Sequence, residues 1–323
     1  MQLPIIDISP YLPSTSALHS DEERRATASS LHLACRDIGF LYLNVKDYIP
    51  KSEMDEILSL GKEFFQRPQD EKDIIRLSNS DGVRGYQRLH ENVTQGKADH
   101  HEGLDLYAPS PYPLDTPLKP LSGENQWPTI PSLLRPRLEA WIEKMKVLGM
   151  AVMRGMCDGL GVTEEEWREM SGMVDDTFWV MRVIGYPPLP DGAEGVSCGS
   201  HKDYGCLTFL LADPYPSALQ VLSTTQEWIN ADPLPGCLVV NIGQMWEFWT
   251  GGLYPATLHR VVHRSPTYRV SIPFFFEPNF DARVKVLEAA KRRARTEGRE
   301  ITEGKEVVYG DFLVGKVSGN FKY

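Results

Sequence analysis

The stretch "GSHKDYGCLT", residues 199–208, sets His201 and Asp203 one residue apart, with small residues before them and an apolar run from Leu207 to Leu211 after them. In an extended segment residues i and i+2 project to the same face. Both side chains therefore reach one object at the mouth of a strand. A metal ion is the natural object, but two ligands do not make a site. The same His-x-Asp spacing recurs at His19-Ser20-Asp21, where helix capping by Ser20 accounts for it.

The second half of the chain supplies the missing parts. "LHRVVHRSPTYRVSIPFFFEP" places His259 at the start of a strand. Two histidines and one carboxylate on one face leave coordination positions open, the arrangement suited to non-heme Fe(II) and oxygen. Ten residues beyond His259 stands Arg269, and Ser271 shares its strand face. A guanidinium and a hydroxyl so placed form a cradle for a carboxylate. "HRVVH" echoes the zinc-protease helix H-E-x-x-H, but Arg260 occupies the place of the required glutamate. The Val-Val pair reads as strand, which leaves His263 a structural residue.

The totals restrict the partners. The 323 residues carry a formal net charge of -10, so neither nucleic acid nor an anionic membrane surface is an expected partner. The basic run "KRRARTEGRE" at 291–300 is interrupted by glutamates and reads as a solvated helix face. Five cysteines without a paired CxxC spacing suggest reduced thiols, hence a cytoplasmic protein. "MQLPIIDISP" lacks the apolar core of a signal peptide. No apolar run approaches the ~20 residues that span a bilayer.

Along the chain, "LPIIDISPYL" predicts a short strand and a turn, Asp21–Asp37 a helix capped by Ser20, and "GFLYLNV" a strand. A helix is expected over Lys51–Gln66, closed by Pro68. Residues 74–130 are rich in Gly, Pro, Asp and Asn and read as irregular lid loops over a binding site. Apolar residues at helical spacing predict a long helix over 131–160, and Thr163 with Glu166 forms a capping box for the next. From residue 177 to 280 short β-prone runs follow one another, which suggests a sandwich or barrel. A helix over Ala282–Thr296 and a tail close the chain. The expectation is one domain over 1–323: a mainly helical N-terminal region over 1–176, a β core over 177–280, and a C-terminal helix and tail over 281–323.

These pieces together resemble the isopenicillin N synthase-like branch of the Fe(II)- and 2-oxoglutarate-dependent dioxygenases. "LPIIDIS", "ACRDIGFLYLNV", "FFQRPQDEK", "GYPP", "SHKDYGCLTFLLAD", "VVNIGQMWEFWTGG", "LHRVVHR", "RVSIPFFFEP" and "YGDFLVGKV" follow in the family's order and spacing. The resemblance covers nearly the whole chain. It implies an α+β fold with a double-stranded β-helix (jelly-roll) core flanked by N-terminal helices. It implies His201, Asp203 and His259 as iron ligands, and Arg269, Ser271 and Tyr186 as the binding set for 2-oxoglutarate. The chain departs from the family at Asn241-Ile242-Gly243-Gln244, where Asn-x-Gly-Asp is usual, and at Ile184, where an asparagine is common.

The implied activity consumes Fe(II)-bound 2-oxoglutarate and O2 and oxidises a C–H bond of a small metabolite, by hydroxylation, desaturation or ring closure, with release of succinate and CO2. A 2-oxoglutarate-independent oxidase or cyclase of the isopenicillin N synthase type is the alternative; a non-enzymatic metal-binding barrel is the second. The chain ends "VSGNFKY" without the glutamine of the synthase's tail, which favours the first reading. Arg84 and Tyr86 are the substrate-contact candidates. "DHHEG", with Asp99, His100, His101 and Glu102, reads as a polar loop whose remaining role would be substrate contact.

Overall fold

From residue 180 onward the central strands of the computed structural model bury both of their faces, with alternate residues turned to the helix-covered core and to the interior of the barrel. The structure describes residues 2–94, 96–111, 121–189 and 196–320.

The N-terminal region forms β1 (Ile5–Asp7), α1 (Asp21–Asp37), β2 (Phe40–Asn44), α2 (Lys51–Phe65) and the short α3 (Gln69–Asp73). It continues with β3 (Gly85–Gln87), the small hairpin β4 (Val93–Thr94) and β5 (Lys97–Ala98), and β6 (Glu102–Tyr107). Helices α4 (Leu134–Leu160) and α5 (Glu164–Ser171) lead into the strands β7 (Val180–Tyr186), β8 (Cys198–His201), β9 (Leu207–Ala212) and β10 (Leu219–Leu222). Then come β11 (Trp228–Asn230), β12 (Cys237–Ile242), α6 (Gln244–Trp249), β13 (His259–Val261) and β14 (Arg269–Phe276). The chain closes with β15 (Arg283–Val284), α7 (Glu288–Glu297), β16 (Val307–Val308) and α8 (Tyr309–Asn320).

An eight-stranded sheet in the order β1-β2-β12-β9-β14-β7-β6-β3 and a four-stranded sheet in the order β11-β10-β13-β8 make the α+β jelly roll. On β14, Val270, Ile272, Phe274 and Phe276 join the main core with residues of α2 and α4. The alternate residues Arg269, Ser271 and Phe275 belong to the other face. There Ile184, Tyr186 and Val239 of the large sheet pack with Leu219, Val221 and Val261 of the small one. This interior wall is apolar for most of its height and turns polar at the mouth, where the site lies. Helix α4 reaches the sheet because residue 149 has no side chain: a Cβ there would lie 2.2 Å from the Phe276 ring.

Both capping expectations match the structure. Ser20 with Glu23 and Thr163 with Glu166 form reciprocal boxes at the starts of α1 and α5. The irregular reading of 74–130 needs correction, because the described part holds β3, the β4–β5 hairpin and β6. Strand β6 runs between β7 and β3 with all six residues buried, so its ladder partners come from far along the chain. Residues 95 and 112–120 of that stretch lie outside the described residues. The N-terminal region is likewise less purely helical than expected, since it contributes strands to both edges of the large sheet. The predicted helix over 282–296 begins later, at Glu288, because Arg283 and Val284 pair with Val308 and Val307 instead.

Candidate metal centre

Strand β8 ends on His201 and β13 begins on His259, and the antiparallel register sets these two residues opposite each other. Their ring centroids are 4.3 Å apart. Asp203 follows two residues after His201, and its Oδ1 lies 3.6 Å from Nε2 of each histidine. Each histidine uses its other nitrogen on the backbone: Nδ1 of His201 meets the Gly199 carbonyl at 2.8 Å, and Nδ1 of His259 meets the Thr257 carbonyl at 3.2 Å. Carbonyls accept only, so Nδ1 carries the proton in both rings and the Nε2 lone pairs point inward.

The carboxylate is held in the same way. Its Oδ2 accepts from the Asn241 amide at 2.6 Å and from the Thr208 hydroxyl, which leaves Oδ1 for the centre. Asn241 and Thr208 face each other across β12 and β9. Burial works against the Asp203 charge, but the facing imidazoles and these two donors outweigh it and hold the group below the usual carboxylate range. Two neutral imidazole nitrogens and one carboxylate oxygen, with their outer atoms tied down, fit a divalent iron with open positions.

Deeper in the barrel Arg269 and Tyr186 are cross-strand neighbours, and the guanidinium carbon sits 4.9 Å from the Tyr186 ring centroid. Arg269 is buried, and its Nε and Nη1 have no hydrogen-bond partner. A buried cation with idle donors needs an anion to complete it. Ser271, also buried, follows on the same face and stands opposite Ile184. The aliphatic side chain at 184 makes that part of the wall apolar and leaves the polar contacts to Arg269, Ser271 and Tyr186.

A cavity of about 480 Å³ opens beside the triad, with Gln87, Asn92, Arg182, Tyr204, Glu277 and Lys316 in its lining. Arg84 and Tyr86 do not line it, a correction to the expected substrate contacts. The Arg84 guanidinium is tied to the Asp81 carboxylate and the Ala108 carbonyl, and the Tyr86 hydroxyl donates to Glu102 at 2.5 Å. Tyr86 alternates with Gly85 and Gln87, so the one-residue parity of the strand puts Gln87 on the cavity side instead.

"DHHEG" does not act as a loop unit either. Glu102 opens β6 and takes Lys72, Tyr86 and Tyr268 as partners. His100 contacts His90 and the Pro188 carbonyl, and His101 meets the Ser197 carbonyl through Nδ1. Asp99 accepts from the Gly199 amide at 2.8 Å. None of the four lines the cavity.

Among the polar residues that the sequence reading does not assign to the site are Asn241, Thr208, Arg182 and Glu277, and for the first two a signal exists. Asn241 and Thr208 share strand parity with interior residues Val239 and Leu210, which marks them as inward-facing. Arg182 shares parity with Ile184 and Tyr186, yet its partner Asp105, 2.7 Å away, comes from β6. Glu277 lies just past β14, where parity no longer guides.

The family described as the 2OG-Fe(II) oxygenase superfamily matches residues 177–278, and the N-terminal family of non-haem dioxygenases in morphine synthesis matches residues 3–130. Among curated relatives, a homoarginine-6-hydroxylase of rice is 41% identical over 327 residues, covering 99% of this chain and 97% of the relative. A homoarginine-6-hydroxylase of soybean is 38% identical, with 99% and 97% coverage. In fold, the chain is similar to a full-length Neurospora crassa protein solved in complex with alpha-KG, with a TM-score of 0.80, 24% identity, and 99% and 96% coverage.

Proposed function

For a chain that belongs to the 2OG-Fe(II) oxygenase superfamily and is a 2-oxoglutarate-dependent dioxygenase, we propose that the substrate is a free amino acid with a cationic side chain, hydroxylated on that side chain. In this reading His201, Asp203 and His259 hold Fe(II), and Arg269, Ser271 and Tyr186 hold the distal carboxylate of 2-oxoglutarate. Bound there, iron with its co-substrate and O2 supplies the oxidant for C–H hydroxylation and releases succinate and CO2.

The protein's own part is positioning and exclusion of water. Asn241 and Thr208 fix the Asp203 carboxylate, and the backbone carbonyls of Gly199 and Thr257 fix the imidazole tautomers. The observation that carries the substrate reading is the Arg182–Asp105 pair in the cavity wall. One cation and one anion side by side complement the carboxylate and ammonium of an amino-acid head. The relatives named for homoarginine, 37–41% identical across 99% of this chain, support the same class. We place the enzyme in the cytoplasm, where its five free cysteines stay reduced; no described helix is long and apolar enough to cross a membrane.

The test is turnover of the Fe(II)-loaded protein with 2-oxoglutarate and homoarginine, arginine or lysine, followed by succinate release and product mass. Succinate formed one-for-one with a product heavier by one oxygen is the expected result. Failure of every cationic amino acid to stimulate succinate release overturns the substrate class.

A further inference from the structure

Glu277 is a buried charged residue of the cavity lining with no role in holding iron or 2-oxoglutarate. It is 3% exposed, and its Oε2 has no hydrogen-bond partner. Its main chain is locked: the Glu277 amide donates to Thr177 Oγ1 at 3.0 Å, and that hydroxyl donates back to the Glu277 carbonyl at 2.7 Å. The carboxylate lies against Gly205, where a Cβ would fall 1.2 Å from Oε2. Only the missing side chain at 205 leaves it room, two residues from the metal ligand Asp203.

The cations in the cavity lining are engaged elsewhere. Lys202 pairs with Glu247 at 3.0 Å, Arg182 with Asp105 at 2.7 Å, and Lys316 lies over the rings of Tyr204 and Phe312. A buried carboxylate without a cation beside it is costly to keep. Such a group is suited to a cation that arrives with the ligand.

The sheet register supplies the spacing. Val180 stands opposite Phe275, Arg182 lies two residues to one side of that pair, and Glu277 lies two residues to the other. The offset of four residues is about 13 Å of strand. With the Arg182 and Glu277 side chains reaching inward, the interval suits a long amino acid with a charge at each end.

We propose that Glu277 recognises the cationic end of the substrate, pairing with a guanidinium while Arg182 and Asp105 hold the amino-acid head. This assignment rests on the substrate class proposed above and names the residue that sets it. Glu277 thereby discriminates charge from shape.

The experiment compares homoarginine with homocitrulline, its neutral ureido isostere, on the wild type, Glu277→Gln and Glu277→Asp. Two readouts are taken: kcat/KM, and anaerobic binding to the protein loaded with Fe(II) and 2-oxoglutarate. The wild type should prefer homoarginine by at least about 100-fold, the scale of a desolvated charge pair. Glu277→Gln should bring the two ligands to within about tenfold of each other, and Glu277→Asp should retain part of the preference. A preference undiminished in Glu277→Gln overturns the role of Glu277 and leaves the substrate class standing. A wild type that neither binds nor oxidises an ω-guanidino amino acid overturns both.

Discussion

The triad of His201, Asp203 and His259 and the neighbouring triplet of Asp99, His101 and Cys198 are both clusters of metal-ligating side chains, the second with a thiol in place of one imidazole. In each, the candidate ligand atoms lie within 4.8 Å of one another. They differ in what their lone pairs are doing. In the triad the outer atoms of all three side chains are engaged and the inner ones are left over. In the triplet the Asp99 carboxylate is used up: Oδ1 accepts from Gly199, and Oδ2 from Thr94 at 2.7 Å and from Asn92. Nε2 of His101 has no partner, yet no anionic oxygen remains to join it in holding a cation. Burial, with the Arg182 charge added, pushes His101 down to about 4. The triplet ties the β4–β5 hairpin to β8, whereas the triad is prepared for an ion. Proximity of ligand types is therefore not what distinguishes a metal site; unspent lone pairs are.

Substitution separates the two clusters most sharply through bound iron. Alanine at His201, Asp203 or His259 should abolish stoichiometric Fe(II) binding and turnover, while Asp99→Ala should still carry one iron per chain by metal analysis. Loss of iron in Asp99→Ala breaks the comparison. Arg269 extends the same logic to a cation with idle donors: Arg269→Ala should raise the KM for 2-oxoglutarate by about 100-fold or more. An unchanged KM would place the co-substrate elsewhere. Next in size, Asn241→Ala or Thr208→Val frees the outer oxygen of Asp203 and should weaken Fe(II) by about 10- to 100-fold. Equal affinity in a competition with a chelator would show that Oδ2 needs no tether.

The effects on the triplet fall on stability. Asp99→Asn should destabilise the fold by about 1–3 kcal/mol in urea unfolding, because one acceptor becomes a donor facing donors. A pH effect accompanies it. His101 titrates lower folded than unfolded, so acid protonates the unfolded chain first. Its contribution to stability is present above about 6.5 and is lost as pH falls toward about 4. His101→Gln should flatten that part of the profile, and an identical slope in both proteins would remove His101 from the account.

What the sequence reveals here depends on how far apart the partners lie. His201 and Asp203 share one strand mouth, and Arg269 and Ser271 share one strand face, so period-2 parity exposes both pairs. Asp105 and Arg182 are 77 positions apart, and a polar residue inside "EGLDLY" looks like a loop until its partner strand is known. The same holds for the whole stretch before Leu134: β6 is a strand because β7 and β3 flank it, and its local sequence shows only turn-prone residues around it. Arg84 and Tyr86 were misread for a related reason, since a loop placed near the site does not say which of its side chains turn toward it. Asn241 stands in the sequence as the usual first residue of a family pattern whose last position, Gln244, departs, and the structure makes it a tether for the metal-ligating carboxylate.

The large sheet has strands from the start of the chain at both of its edges, and this has a consequence for how the protein is made. Strand β2 pairs with β12, and β6 pairs with β7. On a ribosome adding about 5–20 residues per second, Asn44 waits roughly 10–40 seconds for Ile242 to emerge before its ladder can close. During that interval β2 has only the three-residue β1 as a strand partner, and Phe40 and Tyr42 on its barrel-interior face are without their cover. A nascent chain of this design depends on being sheltered through the middle of its own translation, and shortening that shelter should cost yield well before it costs activity.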